Sequence, residues 1–205
     1  MPLYPAQFSG AVIAGNGTVG GSWSVAGHAL GEDTPANHGL VAWAYDPTHN
    51  VNSTVLSSGV IYLTAVYVAA SANVTKLYAH FNAAASSITA GQNFMGLYGS
   101  DGTRLATVNV DSLITSTGLI TATVSSTAVT AGGMYWVAQV YNATTPPSVA
   151  RGAGTTGVGT VTNIGLTAAT LRYATNGTSQ TSLPASITPS SNAATAFGGP
   201  WVAIG

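Results

Sequence analysis

From Val60 onward apolar and polar residues alternate along the chain, the period-two pattern of strands whose successive side chains point to opposite faces. In Lys76–Asn82, Leu77, Ala79 and Phe81 fall on one face and Lys76, Tyr78, His80 and Asn82 on the other. Met134–Tyr141 divides in the same way, with Met134, Trp136, Ala138 and Val140 opposite Tyr135, Val137, Gln139 and Tyr141. Val108 and Ile120 mark the apolar faces of two further strands, around residues 104–110 and 119–124. Val60–Val68 is a continuous β-branched and aromatic run, the mark of a strand buried on both faces. Asp101-Gly102 supplies the positive φ of a tight hairpin between 93–98 and 104–110. Short strands are also expected at 170–174 and 200–204. No apolar stripe at helical spacing persists over a full window. The pattern predicts an all-β fold, an antiparallel β-sandwich or jelly roll. Its core is expected to hold Leu77, Phe81, Val108, Ile120, Trp136 and Val140.

Charge narrows the function classes. Four basic and five acidic side chains among 205 residues make 4% charged, against about 25% in ordinary soluble domains. A nucleic-acid binder needs clustered Lys and Arg to displace counterions, and none are clustered here. Every apolar run is broken well short of the ~18 residues a spanning helix needs, so neither nucleic acid nor membrane is an expected partner. The chain has no cysteine, hence no disulfide framework and no thiol chemistry. Met1-Pro2-Leu3-Tyr4-Pro5 has no basic n-region and no apolar h-region, so no secretory signal is expected.

Residues 1–50 differ from the rest. They are rich in Gly and Pro and read as an extended N-terminal arm with one or two strands, followed by a sandwich domain over 51–205. The arm holds His28, Glu32, Asp33, His38, Asp46 and His49. Two His and a carboxylate can bind zinc, but no His-Glu-x-x-His pair is present. Gly27, Gly31 and Pro35 oppose the helix that would align His28 with Glu32. Polar loop residues are the expected reading, and no metal or cofactor is assigned. Two loops are expected, Gly-rich at 152–162 and Pro/Ser/Asn-rich at 182–194.

Catalytic signatures fail one by one. Gly20-Gly21-Ser22-Trp23-Ser24 lacks the closing glycine of a nucleophile elbow. A glycosidase needs two facing carboxylates; of five acidic residues, Asp33 with Asp111 is the pair left open. The glycines of 152–159 are followed by no lysine, so they form no phosphate loop. Asn16, Asn52, Asn73, Asn142 and Asn176 each begin an Asn-x-Ser/Thr triplet, a frequent chance event in a chain this rich in Ser and Thr.

Several segments, in order, resemble the small β-rich minor tail and fibre-type structural proteins of actinobacterial tailed phages. They are 40–47 (Leu-Val-Ala-Trp-Ala-Tyr-Asp-Pro), 88–106 from Ile88-Thr89-Ala90-Gly91-Gln92 through Gly99-Ser100-Asp101-Gly102-Thr103, Ser116-Thr117-Gly118-Leu119, Ala131-Gly132-Gly133-Met134-Tyr135-Trp136, and Thr144-Thr145-Pro146-Pro147 through Gly152. The resemblance covers residue 39 to the C-terminus and implies a non-enzymatic virion component, assembled in the host cytoplasm and exposed outside the cell, with other virion proteins as partners. A capsid decoration protein is the alternative, and a carbohydrate-active hydrolase on a β scaffold is the alternative of another class. A surface with so little charge lacks the usual defence against association, so a homo-oligomer is expected, with a trimer favoured. Trp23, Trp43 and Tyr45 are the docking candidates of the arm. Tyr78, His80, Asn82, Gln139 and Tyr141 lie on the polar faces of two strands. If those strands share a sheet, they form a carbohydrate-binding surface for a neutral host-surface glycan; otherwise the tyrosines bury against a second layer or a neighbouring subunit.

Overall fold

Strand formation follows the alternation, and every strand pairing among the described residues is antiparallel. The computed structural model describes residues 33–152 and 161–205. Fourteen named strands run in chain order. They are β1 (Ala42–Trp43), β2 (Asn52–Val55), β3 (Tyr62–Tyr67), β4 (Ala72–Ala83), β5 (Ser86–Ile88), β6 (Phe94–Gly99) and β7 (Arg104–Asn109). The others are β8 (Gly118–Val129), β9 (Met134–Val140), β10 (Ala143–Thr145), β11 (Ser148–Arg151), β12 (Tyr173–Thr175), β13 (Ala193–Ala194) and β14 (Val202–Ile204). Single turns of 3-10 helix start at Pro35, Pro47 and Pro189, where the fixed φ of proline suits a first helical position.

Two six-stranded sheets make the sandwich. In the first, the long β4 is central. β8 lies along one of its edges, and β14 and β11 share the other, with β1 outside β14 and β2 outside β11. The second sheet has the order β13-β12-β3-β9-β6-β7, and β5 with β10 forms a separate two-stranded ribbon. The β6–β7 hairpin turns where the sequence predicts. Gly102 takes φ 86°, and the Asp101 carboxylate accepts from the Thr103 backbone N–H and hydroxyl, both at 2.9 Å.

The inter-sheet core joins Leu77, Ala79 and Phe81 of β4 and Ile120, Ala122 and Val124 of β8 to Met95, Leu97, Val66 and Val137 of the second sheet. A second core lies on the far face of that sheet. There Leu63, Ala65, Trp136, Ala138 and Val140 pack under Leu171, Leu183 and Ile187. Each fully buried aliphatic or aromatic side chain contributes about 1.5–3 kcal/mol. Polar handles fix this cover: Trp136 Nε1 donates to the Leu171 carbonyl at 3.0 Å, Tyr98 to the Pro184 carbonyl at 2.6 Å, and the Arg104 guanidinium to the Leu183 carbonyl.

The all-β, antiparallel expectation holds. Of the expected core residues, Leu77, Phe81, Ile120, Trp136 and Val140 are buried, and Val108 packs half-buried against the core. Trp136 and Val140 face the outer cover rather than the first sheet. Three readings change. β9 has no polar face: Tyr135, Val137, Gln139 and Tyr141 are buried, because both faces of the second sheet are covered. Residues 33–50, read as part of the arm, cluster with the sandwich in one compact unit, Asp33–Gly205, and β1 pairs with β14. The 182–194 segment, read as a plain loop, carries Leu183 and Ile187 into the second core. Most of the 152–162 loop, with the arm up to residue 32, lies outside the described residues.

Candidate functional site

The outer face of the first sheet places the polar half of β4 as the alternation predicts. Tyr78 stands opposite Thr121 on one side and Ala203 on the other, and His80 stands opposite Leu119. Trp43 of β1 also pairs with Ala203, so one row reads Trp43, Ala203, Tyr78, Thr121. Ala203, small and between two aromatic residues, is fully buried while both rings stay half-exposed. Beside this row runs a groove of about 430 Å³. Asn50, Val51, Asn52 and Ser53 form one wall, His80 and Asn82 the other, and Ala150 of β11 lies between them in the sheet. A bulge brings Asn82 to the rim, since the β4–β11 register shifts between Val149–Phe81 and Ser148–Ala83.

The groove is lined by no Asp, Glu, Lys or Arg. His80 Nδ1 is shielded from solvent yet has no hydrogen-bond partner. Struts behind the wall fix its shape. The Tyr45 hydroxyl donates to Asn50 Oδ1 at 2.9 Å, Trp201 Nε1 donates to the Tyr45 carbonyl at 3.1 Å, and Arg151 Nε donates to the Ser53 carbonyl at 3.3 Å. Burial pushes the Tyr45 phenol above its ordinary pKa, which keeps it neutral and donating.

Of the five predicted glycan residues, His80 and Asn82 line the groove, and Tyr78 lies on the same face of β4 with its ring toward Gly205. Gln139 and Tyr141 do not join them, because β9 belongs to the other sheet. Both are 1% exposed, facing the inter-sheet core, and the Tyr141 ring meets Phe81 edge-on at 5.8 Å. Of the docking candidates, Trp23 lies outside the described residues. Trp43 packs edge-on against His38 at 5.4 Å, and Tyr45 is the strut behind the groove. Sequence reasoning missed the Asn50–Ser53 wall and Ala150. β2 and β11 are four residues each, too short for period two to register; the Asn-Val-Asn-Ser run was the signal available.

The remaining chemistry resolves into turns. Asp33 accepts from Asn37 Nδ2 at 2.6 Å and lies 2.5 Å from His38 Nε2, the one His–carboxylate contact at ion-pair distance among the described residues. Asp46 caps the Pro47 turn through the Thr48 backbone at 2.8 Å. Asp111 accepts from Gly91 N–H at 2.6 Å and Asn93 Nδ2 at 2.8 Å, so Asp33 and Asp111 serve separate hydrogen-bond sets. Hydrogen bonds hold Asp33, Asp46 and Asp101 below the ordinary carboxyl pKa. Burial acts upward on Asp111, but its donors outweigh it and its pKa is lowered too. Among the described residues no three His, Cys, Asp or Glu converge as metal ligands, and His28 and Glu32 lie outside them. Of the Asn-x-Ser/Thr sites, Asn52 and Asn73 are exposed, whereas Asn142 and Asn176 spend their amide hydrogens on internal bonds.

No protein-family model matches the chain, and no curated protein matches it.

Proposed function

We propose that the protein is a non-enzymatic structural component of a tailed-phage virion, on the tail or fibre, that holds a neutral host-surface glycan on the outer face of its first sheet. The ordered segments that resemble those of minor tail proteins support the virion placement. One observation carries the glycan reading: a groove of Asn, Ser and His side chains lined by no Asp, Glu, Lys or Arg, with the half-exposed Tyr78 two residues from His80 on the same face of β4. Sugar hydroxyls need neutral donors and acceptors, and a sugar ring needs an aromatic platform; both are present within two residues of one strand. The described carboxylates support binding over hydrolysis. All are held ionised by donors, and a general acid needs the opposite shift.

The test is a pull-down on isolated host cell walls. Wild-type protein is expected to bind. Tyr78→Ala should weaken binding by about 1–3 kcal/mol, by analogy with base–aromatic stacking. His80→Ala and Asn82→Ala should each cost about 1 kcal/mol for a lost hydrogen bond. Wild-type protein that leaves cell walls unbound would remove the glycan from this reading. A cryo-EM map of the particle with the sandwich on the capsid shell would replace tail by capsid decoration.

A further inference from the structure

We propose that the free edge of β8 is a self-association surface, on which a second copy of this chain adds its own β8 antiparallel to extend the first sheet across a two-fold axis. β8 is 12 residues long and, among the described residues, hydrogen-bonds with β4 alone, while β7 of the second sheet packs close to it without pairing. The other sheet ends are short: β1 and β13 have two residues, β2 has four, and the six-residue β7 is joined at its start by a Thr103–Ser186 bridge. An unpaired strand edge is a row of N–H and C=O groups ready to pair, and proteins ordinarily blunt it with Lys, Pro, shortness or a bulge. β8 has no charge and no proline, and no residue from Ser112 to Ala150 is charged. Its one irregularity against β4 lies beyond Thr123, where the register shifts between Lys76 and Val74. The stretch 118–123 therefore stays regular. At ~3.4 Å per residue it offers roughly 20 Å of ladder.

The occupant follows from the same features. An antiparallel pair of identical strands is isologous, so each contact is made twice. With Thr121 at the axis, Leu119 meets Thr123 of the other copy on the outer face and Ile120 meets Ala122 on the inner face. Apolar residues then continue the core and neutral ones continue the surface. No charge on either strand opposes the approach of like molecules, and Leu119, 60% exposed at this edge, gains a neighbour. A strand that pairs with itself closes as a dimer, not as the trimer favoured from composition. The dimer would carry two β4 faces on one continuous sheet, a bivalent arrangement that is independent of what those faces bind.

The full chain is tested by sedimentation velocity across the micromolar range, beside the variant Leu119→Lys/Thr121→Lys/Thr123→Lys. These three exposed side chains become like charges facing like charges across the axis. Wild type is expected as a dimer, and the variant as a monomer with its dissociation constant raised at least about tenfold and its circular dichroism unchanged. A second arm uses the absence of native cysteine. Under a disulfide-forming oxidant, Thr121→Cys should cross-link to a covalent dimer, whereas Val55→Cys on the opposite sheet edge should not. A monomeric wild type, a lysine variant that still dimerises, or a Thr121→Cys chain that cross-links no better than Val55→Cys overturns the proposal. If the lysine variant unfolds, the cysteine pair decides alone.

Discussion

Gln139 sits between the sheets with neither amide atom hydrogen-bonded. Leaving such a group unsatisfied costs about 1–3 kcal/mol, while an apolar side chain of similar volume in the same place costs nothing of the kind. Gln139→Leu is therefore expected to stabilise the fold by about 1–3 kcal/mol, read as a higher denaturant midpoint at unchanged slope. A lower midpoint would mean that the amide has a partner in solution. Glycine provides a second residue-scale comparison. Gly102 and Gly132 both have positive φ, 86° and 76°. A Cβ at Gly132 meets open space, but at Gly102 it runs into the Ile187 carbonyl and the Pro189 ring. Gly132→Ala should cost the left-handed penalty of about 1–2 kcal/mol. Gly102→Ala should cost clearly more, because a backbone carbonyl must also move. Equal losses in urea unfolding would show that the cover over the second sheet yields freely.

At the scale of elements, that cover decides what β9 is. Leu183 is fully buried over the second sheet, while Ile164 in the same C-terminal third is 80% exposed. Leu183→Ala should lose about 2–5 kcal/mol, and Ile164→Ala should stay within about 0.5 kcal/mol. Thermal unfolding of the two variants checks the pair, and similar midpoints would place the cover outside the cooperative unit. The same cover marks where the sequence stops being legible. β4 and β8 were readable because one face meets the core and the other meets water, which is what period two records. β9 also alternates, but Tyr135, Gln139 and Tyr141 owe their places to packing, not to solvent. A usable clue lay in β3: its unbroken apolar run reads as buried on both faces, and β9 pairs with it from Tyr62–Gln139 to Tyr67–Met134. A strand beside a doubly covered strand is doubly covered. The glycan candidates split along this line, Tyr78, His80 and Asn82 being legible from β4 alone. The opposite wall depends on β2, whose place in the sheet is set by pairing with β11 rather than by its own pattern.

For the molecule as a whole, scarce charge makes stability a matter of few titrations, each with a definite sign. Asp33, Asp46, Asp101 and Asp111 all have lowered pKa values in the fold. A depressed carboxyl pKa contributes stability that is complete above the ordinary value of 3.8 and is lost as pH falls through the lower folded value. The tyrosines act at the other end. Burial pushes Tyr98 up to about 12 and raises Tyr45, Tyr141 and Tyr173 as well. A raised phenol pKa contributes stability that is complete below the ordinary value of 10.0 and is lost as pH climbs through the folded value. The unfolding temperature should therefore fall on the acid side below 3.8 and on the alkaline side above 10.0. Salt should change it little between those limits, because the described residues hold one contact at ion-pair distance, His38–Asp33, and it is half-exposed. Asp111→Asn gives the internal control. It weakens the tie between the 91–93 turn and the start of the β7–β8 connection, so it should lower the plateau and make the acid fall shallower, with the alkaline arm unchanged. Scanning calorimetry from strongly acidic to strongly alkaline buffer reads all three regions. An acid arm that is flat in the wild type, or equally steep in the variant, would show that these carboxylates do not govern it.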